Sequence, residues 1–214
     1  MRDQNGNRYW NAFPECCDFY GAGTDDAGYL AALMAEAKAK LSVDEDRIFF
    51  IGHSNGGFMV NRMGCQFSKH IAGIISISGS VGYINTCNSY DTSIVDYQLN
   101  VLNIYGLQDV LVNSWDSQFL TNMKILPASG LIIYWANLII RGYSGFIQLD
   151  NINLDSFSLG KETVVYTIPI GSNYNGSVTQ WKQPNGKHWP AFNLQFPTLV
   201  FAWLKNNTRQ YQGL

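Results

Sequence analysis

Apolar residues recur along this chain with two different spacings, and the alternation of the two predicts its elements. From Ala27 to Lys40 the side chains of Leu30, Leu33, Met34 and Ala37 fall on one stripe at helical spacing, behind Asp25-Asp26 and ahead of Lys38 and Lys40. Acid at the start and base at the end suit the helix dipole, so this segment predicts an α-helix. Arg47 to Ile51 is a short apolar strand, and Asn55 to Gln66 has a helical pattern directly after it. Ile71 to Ser78 and Val101 to Tyr105 are two further apolar strands, ending at Gly79-Ser80 and at Gly106. Leu131 to Ile140 predicts a helix, although its unbroken apolar run would also serve as a strand. Glu162 to Ile168 and Ser177 to Trp181 alternate with a period of two and predict strands. Phe196 to Asn206 closes the chain as a helix, with Leu199, Trp203 and Leu204 available to pack. Residues 1–24 read as an irregular segment ahead of a core spanning 25–214, the whole making one domain. Helices alternating with apolar strands predict an α/β fold, a mostly parallel sheet with helices on both faces.

Composition narrows the class. With 214 residues, 46% hydrophobic and 14% charged, the chain can bury a sizeable core and is not a disordered polymer. A net charge of -2 gives no basis for a nucleic-acid partner. Leu131 to Ile140 is too short, and too soon interrupted by Arg141-Gly142, to span a bilayer, so no membrane partner is expected. Met1-Arg2-Asp3-Gln4-Asn5 is polar, so no signal peptide opens the sequence. Cys16, Cys17, Cys65 and Cys87 lack the close pairs of a zinc module, and disulfides are the expected state rather than buried thiols. Four cysteines allow three connectivities. Adjacent Cys16 and Cys17 are not expected to bridge each other, and each would take a distant partner. Few charges with frequent Asn, Gly, Ser and Tyr are common in proteins that work outside the cell.

The candidate chemistry lies where the strand at Ile48 to Ile51 runs into Gly52-His53-Ser54-Asn55-Gly56 and then into a helix. Strand, Gly-x-Ser-x-Gly turn and helix in that order form the nucleophile elbow of an α/β-hydrolase, with Ser54 as the attacking group. A serine hydroxyl needs a histidine base, itself oriented by a carboxylate. Of the three histidines, His53 sits beside Ser54 with its side chain directed away, suited to packing or hydrogen bonding under the turn. His70 reads as a surface or cap residue at the end of the elbow helix. His188 lies in the loop Pro184 to Pro190, between the late strand and the final helix, where this fold carries its base. Chain order then requires the acid between Ser54 and His188, and Asp109 occupies the loop after the strand Val101 to Tyr105. Asp91 and Asp96 precede that strand and read as solvated, Asp116 as a cap, and Asp150 and Asp155 as turn residues. The backbone N–H of Asn55 supplies one oxyanion donor, and the second has no assignment. The chemistry requires no metal and no cofactor. Only 53 residues precede Ser54, so the expectation is either an N-terminally incomplete hydrolase or a shortened one whose sheet starts late.

Several segments together resemble the secreted esterase family of polyhydroxybutyrate depolymerases, feruloyl esterases and acetylxylan esterases. Trp10-Asn11 with Cys16-Cys17 is similar to that family's Trp-Asn and double-cysteine segment, and Asp25-Asp26-Ala27-Gly28-Tyr29-Leu30 to its acidic helix start. Val43-Asp44, Arg47-Ile48 and Gly52 to Gly57 resemble its approach to the nucleophile and the nucleophile motif, and Cys65 and Ser78-Gly79-Ser80 also fit. Its His-Gly-Thr-x-Asp motif falls on Tyr105 to Asp109, and its Gly-His-Thr-Trp-Pro motif on Lys187-His188-Trp189-Pro190 with one residue fewer. The family's leading His-Gly oxyanion strand has no counterpart here, nor do its further cysteines between Tyr134 and Tyr174. The resemblance implies a secreted serine esterase acting on carboxylic esters, polymeric ones included, through Ser54, Asp109 and His188. It puts Trp10 and Trp189 beside the substrate, with core or loop packing as the other role for each. Two alternatives stand: another serine acyl hydrolase such as a peptidase or lipase, and a truncated, inactive hydrolase-like protein.

Overall fold

The computed structural model describes residue 6 and residues 8–17, 21–82, 87, 99–112, 124–140, 145–168 and 176–209. Asp91, Asp96 and Asp116 lie outside the described residues, as does the polar stretch Met1 to Asn5. Helix α1 spans Asp26–Lys40, and Asp25 caps it by accepting from the Gly28 N–H at 2.8 Å. A turn of 3-10 helix, Glu45–Arg47, is capped by the Asp44 carboxylate and delays strand β1 to Phe49–His53, two residues later than the pattern predicts. Helix α2, Asn55–Phe67, follows one residue on. Strands β2, Gly73–Ile77, and β3, Asn100–Gly106, are wholly buried, as their unbroken apolar runs require. Then come α3, Leu131–Ile139, β4, Ile147–Ile152, β5, Thr163–Thr167, β6, Val178–Gln183, and α4, Phe196–Asn206.

The six strands form one sheet in the order β1-β2-β3-β6-β5-β4. Neighbours from β1 to β6 are parallel, while β5 runs antiparallel to both β6 and β4. Side chains alternate across this sheet. Ile74 and Val101 join one apolar cluster with residues of α1, α2 and α3, whereas Ile75, Ile77, Leu102 and Ile104 join a second with Val200 and Trp203 of α4. Both faces are therefore covered by helices, and the α/β expectation holds. Strand β1 is the end of the sheet order, and Ile51 on it is 54% exposed.

Three expectations need correction. Asp150, read as a turn residue, lies within β4, a largely exposed edge strand whose alternation is broken at Asp150-Asn151 by a shift of register against β5. Leu33 of α1 is 43% exposed, because successive helical residues are 100° apart and the inward stripe is the buried Ala27 with the half-buried Leu30 and Met34. Cys16 pairs with Cys17, and Cys65 with Cys87. The peptide bond joining Cys16 to Cys17 is cis, and their Cα atoms are 3.1 Å apart. No helix among the described residues is long and apolar enough to cross a membrane.

Candidate active site

Parallel strands deliver their C-terminal ends to one edge of the sheet, and three of those ends carry the chemistry. Ser54 follows β1 in a left-handed backbone conformation, φ 53° and ψ -119°, that turns its side chain out between strand and helix. For a non-glycine residue such a conformation costs about 1–3 kcal/mol, and the packed turn must hold it. Gly52 makes the turn possible, since a Cβ there would overlap the Gly56 carbonyl. Gly56 carries no such demand, as a Cβ there would meet nothing within 4 Å. The Ser54 N–H donates to the Ile77 carbonyl at 2.9 Å, which ties the turn to the end of β2.

Asp109 lies three residues beyond β3 and is almost fully buried. Its Oδ1 accepts from the N–H groups of Leu111 at 2.9 Å and Val112 at 3.0 Å, and its Oδ2 lies 2.9 Å from Nδ1 of His188. Burial alone would raise this carboxyl's pKa. The His188 hydrogen bond, with the Val112 and Leu111 amides, outweighs burial and holds it below the usual carboxylate range. An ionised carboxylate can only accept, so Nδ1 of His188 carries a proton, and in the neutral ring Nε2 presents its lone pair. That lone pair accepts from the Ser54 hydroxyl, with Oγ and Nε2 2.8 Å apart. Residues 54, 109 and 188, far apart in sequence, thus form one hydrogen-bonded line.

The loops carrying Asp109 and His188 are fastened to each other by backbone. The Leu107 N–H donates to the Gln183 carbonyl and the Gln108 N–H to the Gly186 carbonyl, each at 2.9 Å. Gly106 and Gly186 approach so closely that a Cβ on Gly106 would overlap the Gly186 carbonyl group and lie 2.8 Å from its Cα.

Asn55 opens α2, so its own N–H has no acceptor within the helix and points from the helix start beside Ser54. Its side chain has a role the sequence did not suggest. Asn55 Oδ1 accepts from the Trp10 N–H at 2.6 Å and its Nδ2 donates to the Trp10 carbonyl at 2.9 Å. The next residue, Asn11, donates its N–H to the buried Asp26 carboxylate at 2.7 Å. The Trp10-Asn11 segment is thereby fixed between the elbow and the start of α1, and neither of its N–H groups is left for an oxyanion. Trp10 lines a cavity of about 1030 Å³ beside the elbow, together with Tyr9, Tyr29 and Ile51. Trp189 is 74% exposed, packs on the His53 ring at 4.7 Å, and lines a small cavity of about 180 Å³ with Phe192. His70 is exposed at the end of a 3-10 turn, as expected.

Beneath the turn lies a polar group that the sequence reading passed over. Asn61, fully buried in α2, donates to the Gly57 carbonyl at 2.7 Å and to Ser76 Oγ at 3.0 Å, and accepts from the Trp135 indole N–H at 2.9 Å. Its position on the buried stripe of α2, between Phe58 and Cys65, was the available signal. Among the described residues no cluster of His, Cys, Asp and Glu could hold a metal ion.

The fold has a solved counterpart. The acetyl xylan esterase from Aspergillus awamori superposes on 84% of this chain and 67% of its own, with a TM-score of 0.53 and 13% sequence identity. The fold is that of an α/β-hydrolase. Residues 22–125, which carry the elbow and Asp109, match the phospholipase/carboxylesterase family pattern. NocK of Nocardia uniformis subsp. tsuyamanensis, an inferred esterase, is 31% identical over 72 residues. That stretch is 34% of this chain and 21% of NocK, so this chain spans only a fraction of that relative's length.

Proposed function

We propose that this protein is a serine esterase that hydrolyses carboxylic esters through an acyl-enzyme. The observation that carries the reading is the line Ser54–His188–Asp109, with separations of 2.8 and 2.9 Å, built on an elbow whose serine is held in the left-handed region. In the proposed cycle His188 Nε2 takes the Ser54 proton as Oγ attacks the ester carbonyl. Asp109 keeps the imidazole in the required tautomer and stabilises the imidazolium that forms. The Asn55 N–H donates to the carbonyl oxygen as it becomes an oxyanion. Collapse expels the alcohol, which leaves with the proton from His188. A water molecule, deprotonated by His188, then attacks the acyl carbonyl, and Ser54 leaves with that proton restored.

The substrates we propose are esters of the kind cleaved by the resembling family: acetyl or feruloyl esters of plant polysaccharide, or polyhydroxyalkanoate. The aromatic cavity at Trp10 and the exposed ring of Trp189 support a bulky or polymeric substrate, with both tryptophans at its binding surface. Two cysteine pairings and few charges support work outside the cell. The test is a substrate panel of acetyl, feruloyl and hydroxybutyrate esters beside peptide amides. Turnover of at least one ester class, abolished by His188→Ala, is expected. Amide cleavage without ester cleavage would overturn the reading in favour of a peptidase.

A further inference from the structure

We infer that His53, the second residue of the Gly-x-Ser-x-Gly turn, is a positioning residue that anchors the main chain of the base His188. The inference rests on the esterase reading above for its consequence in catalysis, and on geometry for the contact itself. His53 Nε2 lies 2.7 Å from the carbonyl oxygen of His188. A carbonyl can only accept, so His53 Nε2 carries a proton and donates it. The two rings are 5.3 Å apart and tilted by 47°, and the Trp189 ring packs beside both, 4.7 Å from the His53 ring and 5.4 Å from the His188 ring. His53 is the last residue of β1, the rigid element that also presents Ser54.

Two successive residues of one turn therefore hold one histidine. Ser54 bonds the tip of its imidazole, and His53 bonds its backbone. Asp109 fixes the remaining ring nitrogen, and the Gly186 carbonyl two residues earlier is held by Gln108. Beyond His188 the chain turns through the exposed Trp189 to the half-buried Pro190. The bond from His53 is what references that part of the loop to the strand carrying the nucleophile. Without it the imidazole would lose its fixed distances to both Ser54 and Asp109. A shift of about 1 Å at such a site can cost on the order of 100-fold in rate.

The test compares His53→Gln, whose side-chain amide can reach the same carbonyl, with His53→Leu, which keeps bulk and removes the donor. Thermal melts of each establish folding. On p-nitrophenyl acetate, His53→Leu is expected to lose roughly 10- to 100-fold in kcat with little change in KM, and His53→Gln to recover most of it. The low-field proton resonance of the Asp109–His188 hydrogen bond is expected in the parent and His53→Gln and broadened or lost in His53→Leu. A folded His53→Leu with the parent's kcat and resonance would overturn the proposal, as would equal losses in both variants. If the parent neither turns over esters nor labels with a phosphonate, the esterase reading fails instead. The resonance alone then decides whether His53 positions His188: a difference between parent and His53→Leu upholds the anchor, and none overturns it.

Discussion

Replacing Gly106 by alanine is expected to slow ester hydrolysis without unfolding the protein. The new Cβ would lie 2.8 Å from the Gly186 Cα, whereas ordinary van der Waals contact begins at 3.4 Å. The base loop must retreat from the acid loop by at least about 0.6 Å, and by more because the Gly186 carbonyl group lies closer still. Both hydrogen bonds that fasten the loops, Leu107 to Gln183 and Gln108 to Gly186, stand at 2.9 Å and would be stretched beyond useful geometry. Asp109 and His188, also 2.9 Å apart, lie two to three residues from the collision and would separate with the loops. A displacement on that scale is expected to lower kcat by about 10- to 100-fold, or roughly 1.4–2.7 kcal/mol of transition-state stabilisation. Steady-state kinetics on p-nitrophenyl acetate, run below the melting temperature of both proteins, measures it. A folded Gly106→Ala variant with kcat within about twofold of the parent would refute the idea that this close approach sets the triad geometry.

Other perturbations address different parts of the site. Asn61→Ala leaves the buried indole N–H of Trp135 without this acceptor and the Ser76 hydroxyl without this donor, and is expected to cost about 2–4 kcal/mol in urea unfolding. A loss under about 1 kcal/mol would mean that water replaces the side chain. Gly52→Ala should displace the elbow and lower the melting temperature sharply, while Gly56→Ala, with open space around its Cβ and a helical backbone, should leave stability unchanged or raise it by up to about 1 kcal/mol. Equal effects of the two would contradict the geometry of the turn. Asp109 has its pKa lowered in the folded state, so it contributes stability above the ordinary Asp range near ~3.9 and loses it as pH falls through the native value. Urea midpoints measured from neutral pH to pH ~3 should therefore fall more steeply for the parent than for Asp109→Asn, and parallel curves would contradict the assignment.

Much of this arrangement was legible because the relevant signals are local. The strand before Ser54, the glycines of its turn and the helix after it lie within twenty residues, and the buried strands β2 and β3 announce themselves as unbroken apolar runs. Asp109 and His188 followed from chain order once the elbow was read, although their contact spans 79 residues. What escaped notice depends on neighbours far along the chain. The side chain of Asn55 meets Trp10 across 45 residues, and Asn61 meets Trp135 across 74. Strand β4 is an exposed edge whose alternation breaks at Asp150-Asn151, where its register with β5 shifts, so its pairing partner rather than its own pattern makes it a strand.

The central claim is that Ser54 is a nucleophile activated by His188. A fluorophosphonate probe followed by peptide mass analysis tests it most directly, because phosphonylation needs the activated hydroxyl and no knowledge of the natural ester. The account predicts a single adduct on Ser54 of the folded parent, absent from Ser54→Ala and strongly slowed in His188→Ala. Folded parent protein that acquires no adduct, or acquires it elsewhere, would contradict the account.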